Sequence, residues 1–203
     1  MLVSVRQTAF FALLFFAVSP LYAKYKILEL EVKPALEYKA HQDFQGIVIG
    51  AYPYDNLGKV KQVFDTDKLT RKGFLPVLLI IENNNNFPIR VFEEEIYLIE
   101  KSGERQKPIR YIDVLLASYL KKPLSESAGE KQLHLEKVVK KEILLDFEHK
   151  SFGEKIIAPY GTDYGIVFYR FPDEGLEGSH LYLPEIFNLT GGEALMFFEF
   201  PLK

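Results

Sequence analysis

Gly73-Phe74-Leu75-Pro76-Val77-Leu78-Leu79-Ile80-Ile81-Glu82-Asn83-Asn84-Asn85-Asn86-Phe87-Pro88-Ile89 runs from an apolar block into four consecutive asparagines and leaves through Phe-Pro. A continuous apolar run from Leu75 to Ile81, bounded by turn residues, predicts a strand buried on both faces. Side chains alternate along a strand, so Leu78 and Ile80 are assigned to one face and Leu79 and Ile81 to the other. The asparagines close the strand. Asn tolerates left-handed backbone angles and hydrogen-bonds its own local backbone, so Asn83–Asn86 read as a turn rather than a ligand site. Pro88 blocks further pairing and sets the start of the next strand.

Other strands are expected on both sides of this one. Lys26 to Lys33 alternates, with Leu28, Leu30 and Val32 on one face and Glu29, Glu31 and Lys33 on the other, which predicts a half-buried strand. Gly46 to Tyr54 reads as a second strand ending at Pro53. Asn56 to Phe64 is ambiguous, with one helical turn as an option. Val91 to Glu100 alternates with Ile96 and Leu98 inward, and Arg105 to Tyr111 returns as a hairpin partner after Ser102-Gly103. The alternation puts Glu93 and Glu95 outward together and Glu94 on the other side, as in an edge strand protected by charge. Ile112, Leu115, Leu116, Tyr119 and Leu120 then fall on one helix face that ends at Pro123, and Leu135, Val139, Ile143 and Phe147 are spaced four apart in a second helical stretch. A polar loop, Pro123 to Glu130, joins them. Strands resume at Lys155–Ala158, Asp163–Phe171, His180–Leu183 and Glu193–Pro201, with Pro/Gly turns between them. Short strands with regular turn signals predict a mainly β chain, an antiparallel β-sandwich carrying a helical insertion at about 112–149.

The first 23 residues have the order of an export signal. Arg6 is the only charge. A weakly polar to apolar run covers Thr8 to Val18, the breaker Ser19-Pro20 follows, and Ala23 offers a small residue for cleavage. The run is shorter than the roughly 20 apolar residues needed to span a bilayer. The expectation is a signal peptide at 1–23, one domain at 24–203, and a periplasmic or extracellular location. An uncleaved membrane anchor is the alternative, and it is the only reading in which a membrane is a partner. Loss of residues 1–23 leaves 24 Lys plus Arg against 28 Asp plus Glu, a net charge of −4. That balance gives no reason to expect nucleic acid as a partner. The chain has no cysteine, which excludes disulfides, thiol chemistry and zinc–thiolate sites.

Two segments carry a family resemblance. Gly73-Phe74-Leu75-Pro76-Val77, followed by Ile81-Glu82-Asn83-Asn84-Asn85-Asn86-Phe87-Pro88-Ile89, resembles the signature of the late-embryogenesis-abundant type 2, or WHy, domain. There a hydrophobic strand ends in Asn-Pro-Asn and is followed by Phe-Pro-Val. Asn83 and Asn85 match the two asparagines, and Asn84 stands where the family has proline. Ala158-Pro159-Tyr160-Gly161 before a strand is similar to a turn of immunoglobulin-like sandwiches. The resemblance covers about a quarter of the mature chain. It implies an immunoglobulin-like fold, with no catalytic residue to carry over.

Weighed for chemistry, the candidate groups read as structural or solvated. His41, His134, His149 and His180 are scattered, at no metal-ligand spacing. Asp65-Thr66-Asp67 lacks the glycine and distal glutamate of a calcium loop and reads as a turn. Gly46 and Gly50 belong to no phosphate loop, and no serine lies in a nucleophile elbow. Lys137, Lys140 and Lys141 interleave with Glu136 and Glu142 as a solvated face. Asn188-Leu189-Thr190 is a glycosylation acceptor only in a eukaryotic host. No catalytic, cofactor-binding or metal residue is assigned and no cofactor is expected. The functional expectation is an exported, non-enzymatic binding or structural module of the cell envelope; the alternative is a hydrolase with a carboxylate-based site. A protein partner is expected at the apolar face of Ile112, Leu116 and Leu120, with coverage of the sandwich's own end as the competing role.

Overall fold

The computed structural model describes residues 25–120, 131, 135–195 and 197–203. The chain is mainly β, with three antiparallel sheets and a layer of helices. The predicted central strand is β3 (Phe74–Asn83), and it pairs with β2 (Ile47–Pro53) on one side and β8 (Thr162–Arg170) on the other. β1 (Ala40–Phe44) completes this first sheet in the order β1-β2-β3-β8. The second sheet is β11 (Glu193–Leu195), β10 (Ile186–Asn188), β4 (Ile89–Val91) and β7 (Lys155–Ile157). The third is β12 (Phe198–Pro201), β9 (His180–Leu183), β5 (Tyr97–Ile99) and β6 (Arg105–Gln106). The helices are α1 (Leu57–Val63), α2 (Lys68–Arg71), α3 (Tyr111–Tyr119) and α4 (Lys141–Lys150).

The alternation of β3 divides the interior into two cores, as its period of two requires. Leu75, Val77, Leu79 and Ile81 join Ile49 and Val167 and face apolar side chains of the second and third sheets, among them Val91, Leu98, Leu181 and Phe198. Phe74, Leu78 and Ile80 turn the other way, with Val48, Ile166 and Phe168, onto the helices. There Phe147 of α4 stacks on Phe64 at 4.1 Å and 27°, and on Phe168 at 5.9 Å and 10°. The face assignments of Leu78, Leu79, Ile80 and Ile81 hold.

Asn83 is fully buried at the end of β3. Its side-chain amide donates to the carbonyls of Phe87 (2.8 Å), Ala158 (3.1 Å) and Ile157 (3.4 Å), and its Oδ1 accepts from the Asn85 N–H (3.1 Å). Asn85 in turn donates to the Gln45 carbonyl at 3.0 Å. The asparagine run closes the turn and ties the end of β3 to the carbonyls of Phe87, Ile157 and Ala158.

Several expectations fail for identifiable reasons. Lys26–Lys33 keeps its alternation of burial, with Leu28, Leu30 and Val32 half-buried, but apart from one bridge at Ile27 to Phe64 it makes no ladder with the described residues. The place beside β2 is taken by β1, whose sequence Ala-His-Gln-Asp-Phe shows little apolar pattern. Glu93–Glu95 is a 3₁₀ turn, not an edge strand, so the exposures invert: Glu94 is exposed, and Glu93 and Glu95 are half-buried. The second helical stretch breaks at 139–140, between helical residues 135–138 and α4, although the four residues that signalled it, Leu135, Val139, Ile143 and Phe147, are all buried. Helices are not confined to 112–149, because α1 and α2 precede the insertion and share its core. Residues 1–23 and the 123–130 loop lie outside the described residues.

Candidate functional site

A groove of about 940 Å³ opens at the β1–β2 edge of the first sheet. Its floor comes from strand alternation. Tyr52, with Val48 and Gly50, belongs to the helix-facing side of β2, and Tyr54 follows two residues later on the same side. Tyr54 extends the ladder by donating its N–H to the Pro76 carbonyl at 2.9 Å. Gly50 lets the chain approach closely. A Cβ there would lie 2.6 Å from the Ala35 carbonyl oxygen, so the 3₁₀ turn Ala35–Glu37 rests directly on β2. The Ala35 N–H donates to Glu82 Oε1 at 2.7 Å and holds the turn in place. Tyr38, just past that turn, is thereby carried to Tyr52. Its hydroxyl accepts from the Lys33 N–H at 2.9 Å.

The three tyrosines form a continuous inclined array. Tyr38 and Tyr52 have centroids 6.1 Å apart at 51°, and Tyr52 and Tyr54 meet edge to face at 5.2 Å and 88°. Such geometry suits the quadrupoles of the rings. On the other wall, Asn56 caps α1 by accepting the Lys59 N–H at 3.0 Å. The first turn of α1 so places the Lys59 ammonium 4.9 Å from the Tyr52 ring centroid. Asp55 pairs with Lys59 at 2.9 Å and with Lys203 at 2.5 Å, which ties the last residues of the chain to the groove. Burial works against the Asp55 charge, but the hydrogen bonds and charges of Lys203 and Lys59 outweigh it and hold the carboxyl below its ordinary value. The Tyr54 phenol is pushed up, first by burial and then by its neighbours Tyr38, Tyr52 and the Glu31 carboxylate. Glu29, Glu31 and Glu37 line the groove and are exposed. Among its described lining residues are no serine, threonine, histidine or aspartate; rings, carboxylates, lysines and the Gln62 amide make up its chemistry.

Sequence reasoning did not single out this site. Its signal was the recurrence of Tyr52 and Tyr54 at period two, where a buried strand gives way to charged sequence. The face of Ile112, Leu116 and Leu120 lies on the domain's own helix-facing core, with Leu116 buried and the other two half-buried. The helix that carries it, α3, packs against α2 and α4. His41 and His149 are exposed and His180 is half-buried; His134 lies outside the described residues. Among the described residues no group of three or more His, Asp or Glu is placed to hold a metal ion. Asp65 accepts the Lys26 N–H at 2.9 Å, and Asp67 pairs with Arg71 at 2.7 Å, so this segment serves as a turn. Lys137, Lys140 and Lys141 are exposed. Asn188 is buried, and its Oδ1 accepts from the N–H groups of Thr190 and Gly191, so its amide is engaged in the fold.

Two polar features lie away from the groove's lining. Lys150 and Asp146 form a buried ion pair at 2.6 Å; Lys150 also donates to the Val63 carbonyl at 2.6 Å, and the Tyr25 hydroxyl donates to Asp146 Oδ2 at 2.5 Å. The other is Glu93, whose Oε2 accepts the Gly153 N–H at 3.0 Å while Oε1 is buried with no hydrogen-bond partner among the described residues. Burial raises the Glu93 carboxyl to about 7, with the Gly153 N–H and Lys155 opposing and Glu94 adding to the rise.

No family model and no curated protein matches the chain. Among solved structures it is similar to the yjhA protein from Bacillus subtilis, at a TM-score of 0.39 and 10% sequence identity, over 72% of this chain and 78% of that one.

Proposed function

We propose that this chain is an exported binding module of the cell envelope, built on an immunoglobulin-like sandwich, with the tyrosine-lined groove as its ligand site. The observation that carries the reading is the array of Tyr38, Tyr52 and Tyr54 in an open groove of about 940 Å³. Ligand sites are concave, mostly apolar or aromatic, and set with a few polar groups. Tyrosine supplies contact area at low conformational cost and keeps a polar tip, which suits a surface that must be wet when free and dry when filled. The immunoglobulin-like type rests on the Asn-rich strand exit and the Ala158–Gly161 turn; export rests on the order of residues 1–23. The hydrolase alternative has Glu93 in its favour, a carboxyl poised near neutrality, but Glu93 is not among the residues lining the groove.

The test is retention of material from fractionated envelope extract on the immobilised domain. The wild type should retain a component that a Tyr38→Ala, Tyr52→Ala variant of unchanged melting temperature does not. Equal retention by both proteins would remove the groove from the account. Mass spectrometry of the chain recovered from its host should find an N-terminus at or near Lys24; recovery of intact Met1 in a membrane fraction would replace export with anchoring.

A further inference from the structure

We infer that Glu93 is a latch on the segment where the chain crosses from one core to the other, engaged while its carboxyl is protonated and released once it ionises. The segment is Ser151 to Glu154. Phe147, on α4, is buried in the helix-side core, and Phe152 is buried in the sheet-side core. The crossing lies close against β8: the Phe152 N–H donates to the Ile166 carbonyl at 3.0 Å, and a Cβ on Gly165 would lie 2.5 Å from the Phe152 Cα. Gly153 then turns through the left-handed region at φ 62°, and its N–H donates to Glu93 Oε2 at 3.0 Å. Glu93 stands in the 3₁₀ turn Glu93–Glu95, which carries the chain from β4 of the second sheet to β5 of the third. One carboxyl thus joins the crossing to the junction of two sheets.

The geometry favours the neutral form. Only one of the two oxygens is served, because Oε1 is buried with no hydrogen-bond partner among the described residues. A carboxylate so placed leaves its charge largely unanswered, which costs more than burying the neutral acid. The charged and titratable groups around it do not supply the answer. Glu94 and Glu95 share its turn, and Glu95 Oε2 is also buried with no hydrogen-bond partner among the described residues. On β7, the Lys155 ammonium is paired with Asp163 at 3.0 Å. On β8, the Tyr169 hydroxyl donates to the Ile96 carbonyl at 2.8 Å. Glu154, at the end of the crossing, is paired with Arg90 of β4 at 3.4 Å. Burial accordingly raises the Glu93 carboxyl to about 7, so the change of state falls near neutrality. Rotation outward gives the charge its water and gives up one hydrogen bond, that of Gly153, while the Phe152 bond to β8 stays. The released state is a local opening of the crossing within a folded chain.

Amide resonances of the protein, followed from about pH 5 to about pH 9, test the latch. The Gly153 amide proton should move upfield with a midpoint near 7, as its hydrogen bond is lost. Its exchange with solvent should quicken over the same range, relative to the same amide in Glu93→Gln. The Phe152 amide, bonded to Ile166, should hold its position. Glu93→Gln keeps an acceptor for the Gly153 N–H and cannot ionise, so the Gly153 titration should vanish in that variant, with the melting temperature in acid as a check on folding. A downfield move of Gly153 would overturn the proposal, because it would mean that the carboxylate stays in place and strengthens the bond. So would the absence of any Gly153 titration, a titration that persists in Glu93→Gln, or a Phe152 amide that moves together with Gly153.

Discussion

Toward the other sheets, β3 presents Leu75, Val77, Leu79 and Ile81 to an interior whose members are nearly all aliphatic or phenylalanine. Toward the helices it presents Phe74, Leu78 and Ile80 to an interior that also holds the Lys150–Asp146 pair and borders Tyr25, Tyr38, Tyr52 and Tyr54. The difference follows from what closes each core. Strand partners contribute one inward side chain in two and leave little room for a polar tip; Tyr169 manages it by donating its hydroxyl to the Ile96 carbonyl at 2.8 Å. Short helices and irregular segments offer free carbonyls, such as that of Val63, and edges that do not meet. The buried ion pair and the tyrosines of the groove accordingly lie on the helix side, while the buried asparagines of the sheet side, Asn83 and Asn188, serve strand ends and turns.

Truncation on both sides should produce the largest effects. Phe147→Ala removes a ring stacked between Phe64 and Phe168 and should cost about 3–5 kcal/mol, with Leu79→Ala on the sheet side costing about 2–5 kcal/mol in urea melts. A negligible loss for Phe147→Ala would mean that the helices do not form a true second core. Asp146→Ala should rank with these. It leaves the Lys150 ammonium buried without its carboxylate, a loss of about 3–5 kcal/mol, whereas joint replacement of both partners by Leu and Met should cost much less. Equal losses for the single and double variants would show that packing, not charge, decides the site. Asn83→Ala removes the amide that serves the Phe87 and Ala158 carbonyls and should cost about 1–3 kcal/mol on the sheet side.

The last effect is one of pH. The Glu93 carboxyl is raised from its ordinary 4.5 to about 7 in the folded chain. The native state therefore holds a proton that the unfolded state has already released, and this group makes stability fall as pH rises from about 4.5 to 7. Below that window both states are protonated and the effect vanishes. Glu93→Gln should flatten the decline, measured as the urea midpoint against pH. An unchanged slope in the variant would assign the decline to other groups.

How far this was legible from sequence depended on which interaction decides each element. β2, β3 and β8 announced themselves because hydrophobic burial fixed them, and that signal is carried residue by residue. The asparagine turn was legible as far as it is local: Asn83 serves the Phe87 carbonyl and the Asn85 N–H beside it in sequence, whereas its bonds to the distant carbonyls of Ile157 and Ala158 leave no mark in the local pattern. Lys26–Lys33 misled because alternation reports which side is buried, not whether a hydrogen-bonded neighbour exists. The partner strand β1 was silent, since at the sheet's edge only Ala40 among its five residues is buried. Glu93–Glu95 misled because a 3₁₀ turn rotates its side chains out of the strand period. The groove was out of reach for a different reason. It needs Tyr38 from one segment, Tyr52 from a strand and Lys59 from a helix, joined by the close approach of Ala35 at Gly50, and no spacing within the chain encodes that meeting.

Amide chemical-shift mapping of the domain during titration with retained envelope material tests the central claim directly. The account predicts shifts concentrated at Tyr38, Tyr52, Tyr54, Lys59 and Glu31, with the amides of β5, β9 and β10 unmoved. Shifts centred instead on the outer faces of the second and third sheets, with the tyrosine array silent, would contradict it.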